Sequence, residues 1–240
     1  MVPHRSIESI NLPSKMKQSI IDDLENFCST ETVIRFEQLN IPHIRVYMLH
    51  GPPGTGKTTL IHTLASKYNR DIATIDFANN MCDRDFKRSI RSVPSNAWIA
   101  IEDIDCIFHD RKDNDSLNNS MTFSGILNGI DGLSKMNDDT IVFITTNYLD
   151  KLDDALKRRV DYFVHLDFNT KEQTREQFIR FFPDKSDDFP VFWESVKSLK
   201  ITPNVLQKFF VKHLYSDTIF DHIDDIKDFI VQEEIADMYT

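Results

Sequence analysis

A glycine-rich segment at residues 51–58 carries the groups most suited to chemistry in this chain. Its sequence, Gly-Pro-Pro-Gly-Thr-Gly-Lys-Thr, fits the pattern G-x-x-x-x-G-K-[ST], in which backbone N–H groups cradle phosphates. The apolar residues 46–50 before it read as a buried strand, and residues 59–65 after it read as the start of a helix. The pattern requires this strand–loop–helix context, so the sequence predicts a nucleotide-phosphate site here.

Each part of this segment has an expected role. The N–H groups of residues 54–58 would surround a β-phosphate at the positive end of the helix. Lys57 would reach the β- and γ-phosphates, and the Thr58 hydroxyl would hold Mg²⁺. The residues assigned to nucleotide binding are Gly51, Pro52, Pro53, Gly54, Thr55, Gly56, Lys57, Thr58 and Thr59.

Carboxylates follow a second apolar run of strand length. Residues 98–101 are continuously apolar and are followed by Glu102, Asp103 and Asp105. Because ligands bind outside the carboxyl ends of parallel strands, these carboxylates are expected to face the same Mg²⁺ and γ-phosphate as Lys57. The alternative is a solvated helix cap after a core strand. The predicted magnesium ligands are Thr58, Glu102 and Asp103.

A third apolar run, residues 140–146, ends at Asn147. If its strand neighbours the carboxylate-bearing one, the Asn147 amide lies where it could orient a water against the γ-phosphate. A turn-forming asparagine is the alternative interpretation.

Composition limits the possible classes of protein. A chain of 240 residues with 40% apolar and 28% charged residues is typical of a globular protein of one large or two small domains. The net charge of −10 argues against a nucleic-acid motor, although a local basic patch stays possible. Three widely spaced cysteines without a C-x-x-C pair indicate an intracellular reducing compartment.

The order of elements predicts two domains. Strands and helices alternate up to residue 168, with a helix and a turn within 28–45 and a last strand at 161–168. The chain beyond it reads as helices alone, the final one over roughly 220–238. We therefore expect an α/β domain at 1–168 and a helical domain at 169–240. An adenine pocket is expected between residues 8–16 and the start of the helical lid near Thr202-Pro203. The polar stretch 109–120 reads as a flexible loop, and the acidic residues between 221 and 234 read as a solvated helix face. Residues 1–12 lack a signal peptide's apolar core, and no run is long enough to span a bilayer, so the chain as given is expected to be soluble.

Taken together, these motifs resemble the AAA ATPases. The resemblance rests on the glycine-rich segment, residues 102–105, Thr145-Thr146-Asn147, the Leu-Asp-Asp-Ala-Leu run at 152–156 and a pair of arginines at 158–159. The run at 122–132 is similar to the signature helix of one branch, the mitochondrial AAA chaperones that move the Rieske iron–sulfur protein across the inner membrane. Ile41-Pro42, the Glu102-Asp103 order and residues 178–183 are similar to the same branch. The likeness extends from about residue 9 to residue 214.

The resemblance implies a fold, an activity and partners. The fold would be a P-loop NTPase of the AAA type, with a parallel five-stranded sheet flanked by helices and a small all-α lid domain. The chain would be the ATP-hydrolysing module of a ring-forming protein translocase, with ATP and Mg²⁺ as cofactors. Partners would be copies of itself in a hexamer or heptamer and a protein cargo, not nucleic acid. The resemblance implies an association with the mitochondrial inner membrane only through a segment that is absent from this chain.

The resemblance also implies catalytic roles for named side chains. Asn147 would position the attacking water, and Arg158 and Arg159 match the arginine fingers that act on a neighbouring subunit's nucleotide. Glu102 is assigned to the metal side, Asp103 is the expected base, and Asp105 is a weaker candidate. The predicted catalytic set is Glu102, Asp103, Asn147, Arg158 and Arg159.

Three departures from the family pattern qualify these expectations. Asp usually precedes Glu where Glu102 precedes Asp103 here, which opens the alternative of a nucleotide-binding scaffold with little catalysis. The two arginines are adjacent and diverge by about 100° on a helix, so one finger can be lost. The pore-loop position, residues 79–82, lacks an aromatic–apolar–Gly triplet, which suits a folded cargo better than a threaded one. A nucleic-acid motor or loader is the remaining alternative.

Overall fold

The computed structural model describes residues 7, 10–75, 77, 81–106, 121–133, 140–216, 218 and 220–238. The stretch 109–120 and residues 79–80 of the expected pore loop lie outside these described residues. Five parallel strands form one sheet, which confirms the predicted fold class. They are β1 (Ile44–His50), β2 (Asp71–Ile75), β3 (Ala97–Ile101), β4 (Thr140–Thr146) and β5 (Tyr162–His165).

The order across the sheet is β2-β3-β4-β1-β5. β3 and β4 are buried along their whole lengths, because parallel strands covered on both faces are continuously apolar. The edge strand β5 is shorter than the predicted 161–168 and its exposed positions alternate with buried ones. At the carboxyl ends His50 pairs with Thr146, and Ile101 pairs with Ile144, so β1, β3 and β4 finish side by side.

Helices cover both faces of the sheet. Those within the α/β part are α1 (Ser14–Phe27), α2 (Thr30–Leu39), α3 (Lys57–Lys67), α4 (Asp83–Arg91), α5 (Phe123–Leu133) and α6 (Asp154–Lys157). Alternate residues of β1 enter different cores, as the strand period of two requires. Tyr47 and Leu49 pack with α1 and α3, whereas Val46 and Met48 pack with α4 and α5. The sheet is thereby fixed between two apolar layers.

The C-terminal helices follow β5 and have a core of their own. They are α7 (Lys171–Phe181), α8 (Phe189–Val196), α9 (Pro203–Lys212) and α10 (Asp225–Met238), with short 3-10 turns at Pro183–Asp188 and Phe220–His222. Phe178, Phe192, Phe209 and Phe210 are fully buried there, and their rings pack against one another. Aromatic burial on this scale is the main source of stability for these helices.

The helix expected within 28–45 is present as α2, and it ends at Leu39 because Asn40 adopts a left-handed conformation that terminates it. Another helix differs from the sequence-based expectation. The helix expected over 220–238 is broken, and α10 begins only at Asp225. None of the helices in the described part of the chain combines the length and the apolar character that a membrane crossing requires.

Candidate nucleotide-binding site

The glycine-rich loop connects β1 to α3 and has a backbone that depends on glycine. Gly51 has a φ of +139°, and a Cβ atom added to it would lie 1.7 Å from the carbonyl oxygen of Leu166. No side chain fits there, so the loop is pressed against the chain that leaves β5. Gly54 and Gly56 also have positive φ values, of 73° and 95°. The loop thus has three glycines in conformations that L side chains rarely adopt, as is common where a backbone approaches a phosphate closely.

Lys57 joins this loop to the end of β4. Its ammonium group donates hydrogen bonds to the carbonyl oxygens of Gly51 at 2.8 Å and Pro52 at 3.0 Å, and to Asn147 Oδ1 at 2.7 Å. Only 8% of the residue is exposed. A buried lysine needs such partners, and these three oxygens hold the charge at the phosphate loop.

Thr58 joins the loop to the end of β3. Its hydroxyl donates a hydrogen bond to the Glu102 carboxylate. A hydroxyl oxygen and a carboxylate in contact are the hard oxygen ligands that Mg²⁺ prefers, with waters completing its octahedron. Four of the residues expected from the sequence, Lys57, Thr58, Glu102 and Asn147, thus meet at one edge of the sheet.

Asp103 and Asp105 occupy different environments although only one residue separates them. Asp103 is exposed and has a φ of +48°, and its N–H donates to Thr145 Oγ1 at 2.8 Å. Asp105 is 5% exposed, and its Oδ1 accepts a hydrogen bond from the Asn147 N–H at 3.2 Å. Asp103 is therefore open to a reactant, whereas Asp105 supports the backbone that carries the Asn147 amide.

The two arginines follow the end of α6 and lie in different environments. Arg159 forms a bidentate ion pair with Asp131, with Nε–Oδ1 and Nη2–Oδ2 distances of 2.6 and 2.8 Å. The hydrogen bond from Arg159 lowers the pKa of Asp131, and the same bond raises the pKa of Arg159. The Arg158 side chain is exposed, and its guanidinium makes neither a hydrogen bond nor an ion pair with the part of the chain that the structure describes.

Two histidines stack beside the loop at the ends of β1 and β5. The rings of His50 and His165 have centroids 4.8 Å apart and planes at 10°. Burial lowers the pKa of His50, and the neighbouring His165 and Lys57 lower it further. His50 therefore stays neutral next to the Lys57 charge at neutral pH.

The C-terminal helices reach the outer side of the loop, which the sequence did not predict. The Asn204 N–H donates to the Gly54 carbonyl at 3.2 Å. The Glu233 carboxylate accepts hydrogen bonds of 2.6 Å from both Thr202 Oγ1 and Asn204 Nδ2. A Cβ added to Gly54 would lie 2.3 Å from Glu233 Oε1. The expectation that Glu233 belongs to a solvated helix face is wrong, because α10 folds back across the loop.

The N-terminal segment lies beside the start of α9, near the region where an adenine pocket is expected. Asn11 donates through Nδ2 to Asn169 at 2.9 Å and to Gln177 at 3.2 Å, and Gln177 donates to the Pro203 carbonyl at 3.0 Å. The buried Asn11 Oδ1 has no hydrogen-bond partner among the described residues. A buried acceptor of this kind can receive an N–H donor such as an exocyclic amine. With the glycine-rich loop and the Thr58–Glu102 pair, it fits a bound magnesium nucleotide.

A basic groove lies apart from these groups, on α4. Arg84, Lys87, Arg88 and Arg91 follow the spacing of one helix face and, with Asp83, line a groove of about 530 Å³. None of the four cations forms an ion pair with a carboxylate in the described ranges. The acidic chain thus has a local basic face.

The fold and the loop define a P-loop NTPase, and the sequence matches the ATPase family associated with various cellular activities (AAA) over residues 47–168. The chain belongs to this AAA family. It is 36% identical over 192 residues to the probable mitochondrial chaperone bcs1 of Schizosaccharomyces pombe, covering 77% of this chain and 42% of that protein. It is 31% identical over 224 residues to the probable mitochondrial chaperone BCS1-A of Dictyostelium discoideum, covering 88% and 52%. It is 32% identical over 192 residues to the mitochondrial chaperone BCS1 of Danio rerio, covering 76% and 45%.

These relatives agree with the resemblance drawn from the signature helix, so the chain is a BCS1-like AAA ATPase in sequence. The chain spans about half the length of the curated relatives it matches.

Proposed function

We propose that this chain is the ATP-hydrolysing module of a ring-forming protein chaperone or translocase. The observation that carries the proposal is the contact of Lys57 with Asn147 and of Thr58 with Glu102 at the ends of β1, β3 and β4. Membership of the AAA family and the chaperone names of the relatives support the same conclusion.

Each side chain has a task that its position allows. ATP supplies the γ-phosphoryl group when bound, and Mg²⁺ neutralises charge on its oxygens. Lys57 would exchange its carbonyl and amide partners for phosphate oxygens, and Thr58 and Glu102 would hold the metal. Asp103, which is exposed, accepts the proton of the attacking water, and Asn147 orients that water.

We assign the two arginines to different tasks. Arg158 is exposed and uncommitted within the described chain, so it can reach a neighbouring subunit's nucleotide. Arg159 is held by Asp131 and fixes the segment that carries Arg158. An arginine supplied in trans makes hydrolysis depend on assembly of a hexamer or heptamer.

We also propose the two-domain division at residue 168, with residues 169–240 acting as a lid over the nucleotide. The separate phenylalanine core of α7 to α10 supports this division. The bonds that Glu233 makes to Thr202 and Asn204, next to Gly54, are the contacts that would sense a nucleotide in the loop.

The cargo and location follow from the relatives and are part of the proposal. Proteins named mitochondrial chaperones imply a protein cargo and a mitochondrial setting. Since the chain spans about half of their length, a membrane segment and a cargo-handling domain would belong to a longer protein.

The test is a magnesium-dependent ATPase assay on the purified chain over a range of concentrations. Activity per subunit should rise with concentration because the finger comes from a neighbour. Lys57→Ala should abolish nucleotide binding, whereas Lys67→Ala, at the other end of α3, should leave it unchanged. Activity that is the same in dilute monomer and concentrated protein would contradict the proposal.

A mixing experiment tests the finger directly. Arg158→Ala should keep nucleotide affinity and lose turnover by about 10³-fold. Mixed with Lys57→Ala subunits, which retain Arg158, the Arg158→Ala subunits should regain part of their activity. Failure of the mixture to recover, with rings formed, would exclude a role in trans. A single-turnover assay that detects no hydrolysis in wild-type rings would instead favour the nucleotide-binding scaffold.

The basic groove on α4 keeps a nucleic-acid motor or loader as the second candidate. Under that hypothesis single- or double-stranded DNA stimulates the ATPase, and Arg88→Glu removes the stimulation. Under the chaperone hypothesis DNA has no effect on turnover at physiological salt.

A further inference from the structure

Two histidines and an aspartate converge at the junction between α9 and α10, far along the chain from the phosphate loop. His213 follows α9, His222 closes the 3-10 turn and Asp225 begins α10. One ligand atom from each lies within 4.8 Å of those from the other two. The two imidazole rings stack with centroids 4.3 Å apart and planes at 13°. This cluster takes no part in the proposed hydrolysis.

We propose that His213, His222 and Asp225 bind a divalent transition-metal ion of the Zn²⁺ class. Two imidazoles and a carboxylate form a donor set that zinc uses, with water in the fourth position. Mg²⁺ and Ca²⁺ prefer oxygen ligands alone, so the cluster discriminates against the ion that the nucleotide requires. The metal site is thus chemically separate from the magnesium site.

Coordination requires one imidazole to rotate out of the stack, because a histidine binds a metal in the plane of its ring and the two planes are nearly parallel. Zinc–nitrogen bonds of about 2.1 Å in a tetrahedron bring the donor atoms to about 3.4 Å from one another. The ligand atoms of the cluster now lie within 4.8 Å of one another, and rotation of a side chain can close the remaining difference. His213 is 5% exposed and is held by a 3.0 Å contact from Nε2 to Asp225 Oδ2, so the buried ligand is already directed at the carboxylate. His222 and Asp225 are half-buried, which leaves a route for the ion.

Lys212 competes for the same carboxylate. Its ammonium group lies 2.7 Å from Asp225 Oδ2, and its side chain is 54% exposed. An exposed ion pair contributes little free energy, so a divalent ion can replace it. Removing the Lys212 charge should therefore strengthen metal binding. If the cluster only holds α9 against α10 through a histidine–aspartate hydrogen bond, no gain in metal affinity is expected.

Isothermal titration of the chelator-treated 240-residue chain with ZnCl₂ at pH 7.5, without nucleotide, tests the proposal. We expect one zinc per chain and a rise in melting temperature. His222→Gln and Asp225→Asn should each weaken binding at least about tenfold. Lys212→Gln should tighten it several-fold, and millimolar Mg²⁺ should not displace the zinc.

Matched controls separate this cluster from other metal-binding groups. His165→Gln removes an exposed, stacked imidazole on β5 and should leave the zinc affinity unchanged. Replacing Cys28, Cys82 and Cys106, none of which forms a disulfide bond, by serine should also leave it unchanged. The half-buried His222 is the preferred test position, since circular dichroism can verify that its variant folds. Absence of zinc binding in the wild type, or binding that survives both His222→Gln and Asp225→Asn, would overturn the proposal.

Discussion

The strand-end edge of the sheet and the C-terminal helices both bring polar groups together, but by different means. At the strand ends Lys57 meets Asn147 across 90 residues of sequence, and Thr58 meets Glu102 across 44. In the C-terminal helices Thr202 meets Glu233 across 31 residues, and His213 meets Asp225 across 12. The more distant pairs were nevertheless the more predictable ones.

Topology explains this difference. Parallel strands that are neighbours must end at the same edge, so any polar residue placed just after an apolar run arrives at the site. The C-terminal contacts depend instead on how far α10 folds back over α9, which is set by packing of aromatic rings. Disrupting each region separately should therefore have separable effects.

The largest expected effect is on the phenylalanine core. Phe210→Ala should lower the free energy of unfolding of the C-terminal helices by about 3–5 kcal/mol, because it leaves a cavity among packed rings. Val211→Ala, at a neighbouring position that is 56% exposed, should change stability by less than about 0.5 kcal/mol. Denaturant unfolding monitored by hydrogen exchange provides the measurement. If exchange at β3 and β4 accelerates as much as in α9, the two regions are not separable.

Asn147→Ala tests the strand-end edge by itself. Turnover should fall by about 10²–10³-fold, as for the loss of one oriented donor, because the water loses its orientation. ATP affinity should change little, since the substitution leaves Lys57 and the glycine-rich loop, which are expected to contact the phosphates, unchanged. Steady-state kinetics with a fluorescent nucleotide titration separates the two quantities. Asn69→Ala, after α3 and outside the site, is the control, and equal losses in both variants would count against the assigned role.

Glu233→Gln tests the contact between the regions. The change removes the charge that strengthens two hydrogen bonds, at a cost of about 1–3 kcal/mol to the docking of α10. Amide exchange in α10 should accelerate while the fold and the melting of the sheet are retained. Asp228→Asn, an exposed position on the same helix, should leave exchange unaltered. Unchanged protection in Glu233→Gln would mean that the contact does not hold α10 in place.

The smallest effect concerns His50. Its folded-state pKa is lowered, mainly by burial, so the unfolded chain binds the proton more readily. Stability should therefore be complete above the unfolded pKa of about 6.5 and decline as pH falls below it. His50→Gln should flatten this slope in melting curves between about pH 5 and pH 7.5. An identical slope in the variant would show that His50 is not the titrating group.

The sequence was sufficient for the α/β fold and for the convergence of Lys57, Glu102 and Asn147, because these follow from strand patterns and motif spacing. The AAA family was predicted from the resemblance of its motifs. The contact of Glu233 with the loop could not be predicted, since an acidic residue on a helix is usually solvated and only packing shows otherwise. The catalytic roles of all these residues stay predictions.

The conformation of Asp103 bears on how this carboxylate pair can vary. A left-handed backbone accepts aspartate and asparagine more readily than longer side chains, so position 103 selects a short acid. Position 102 selects a long one, because its carboxylate has to span the gap to Thr58. Exchanging the two acids would violate both requirements at once, and either single change would violate one. The Glu102-Asp103 order is therefore favoured over the reverse order by the backbone at position 103 and by the reach that position 102 requires.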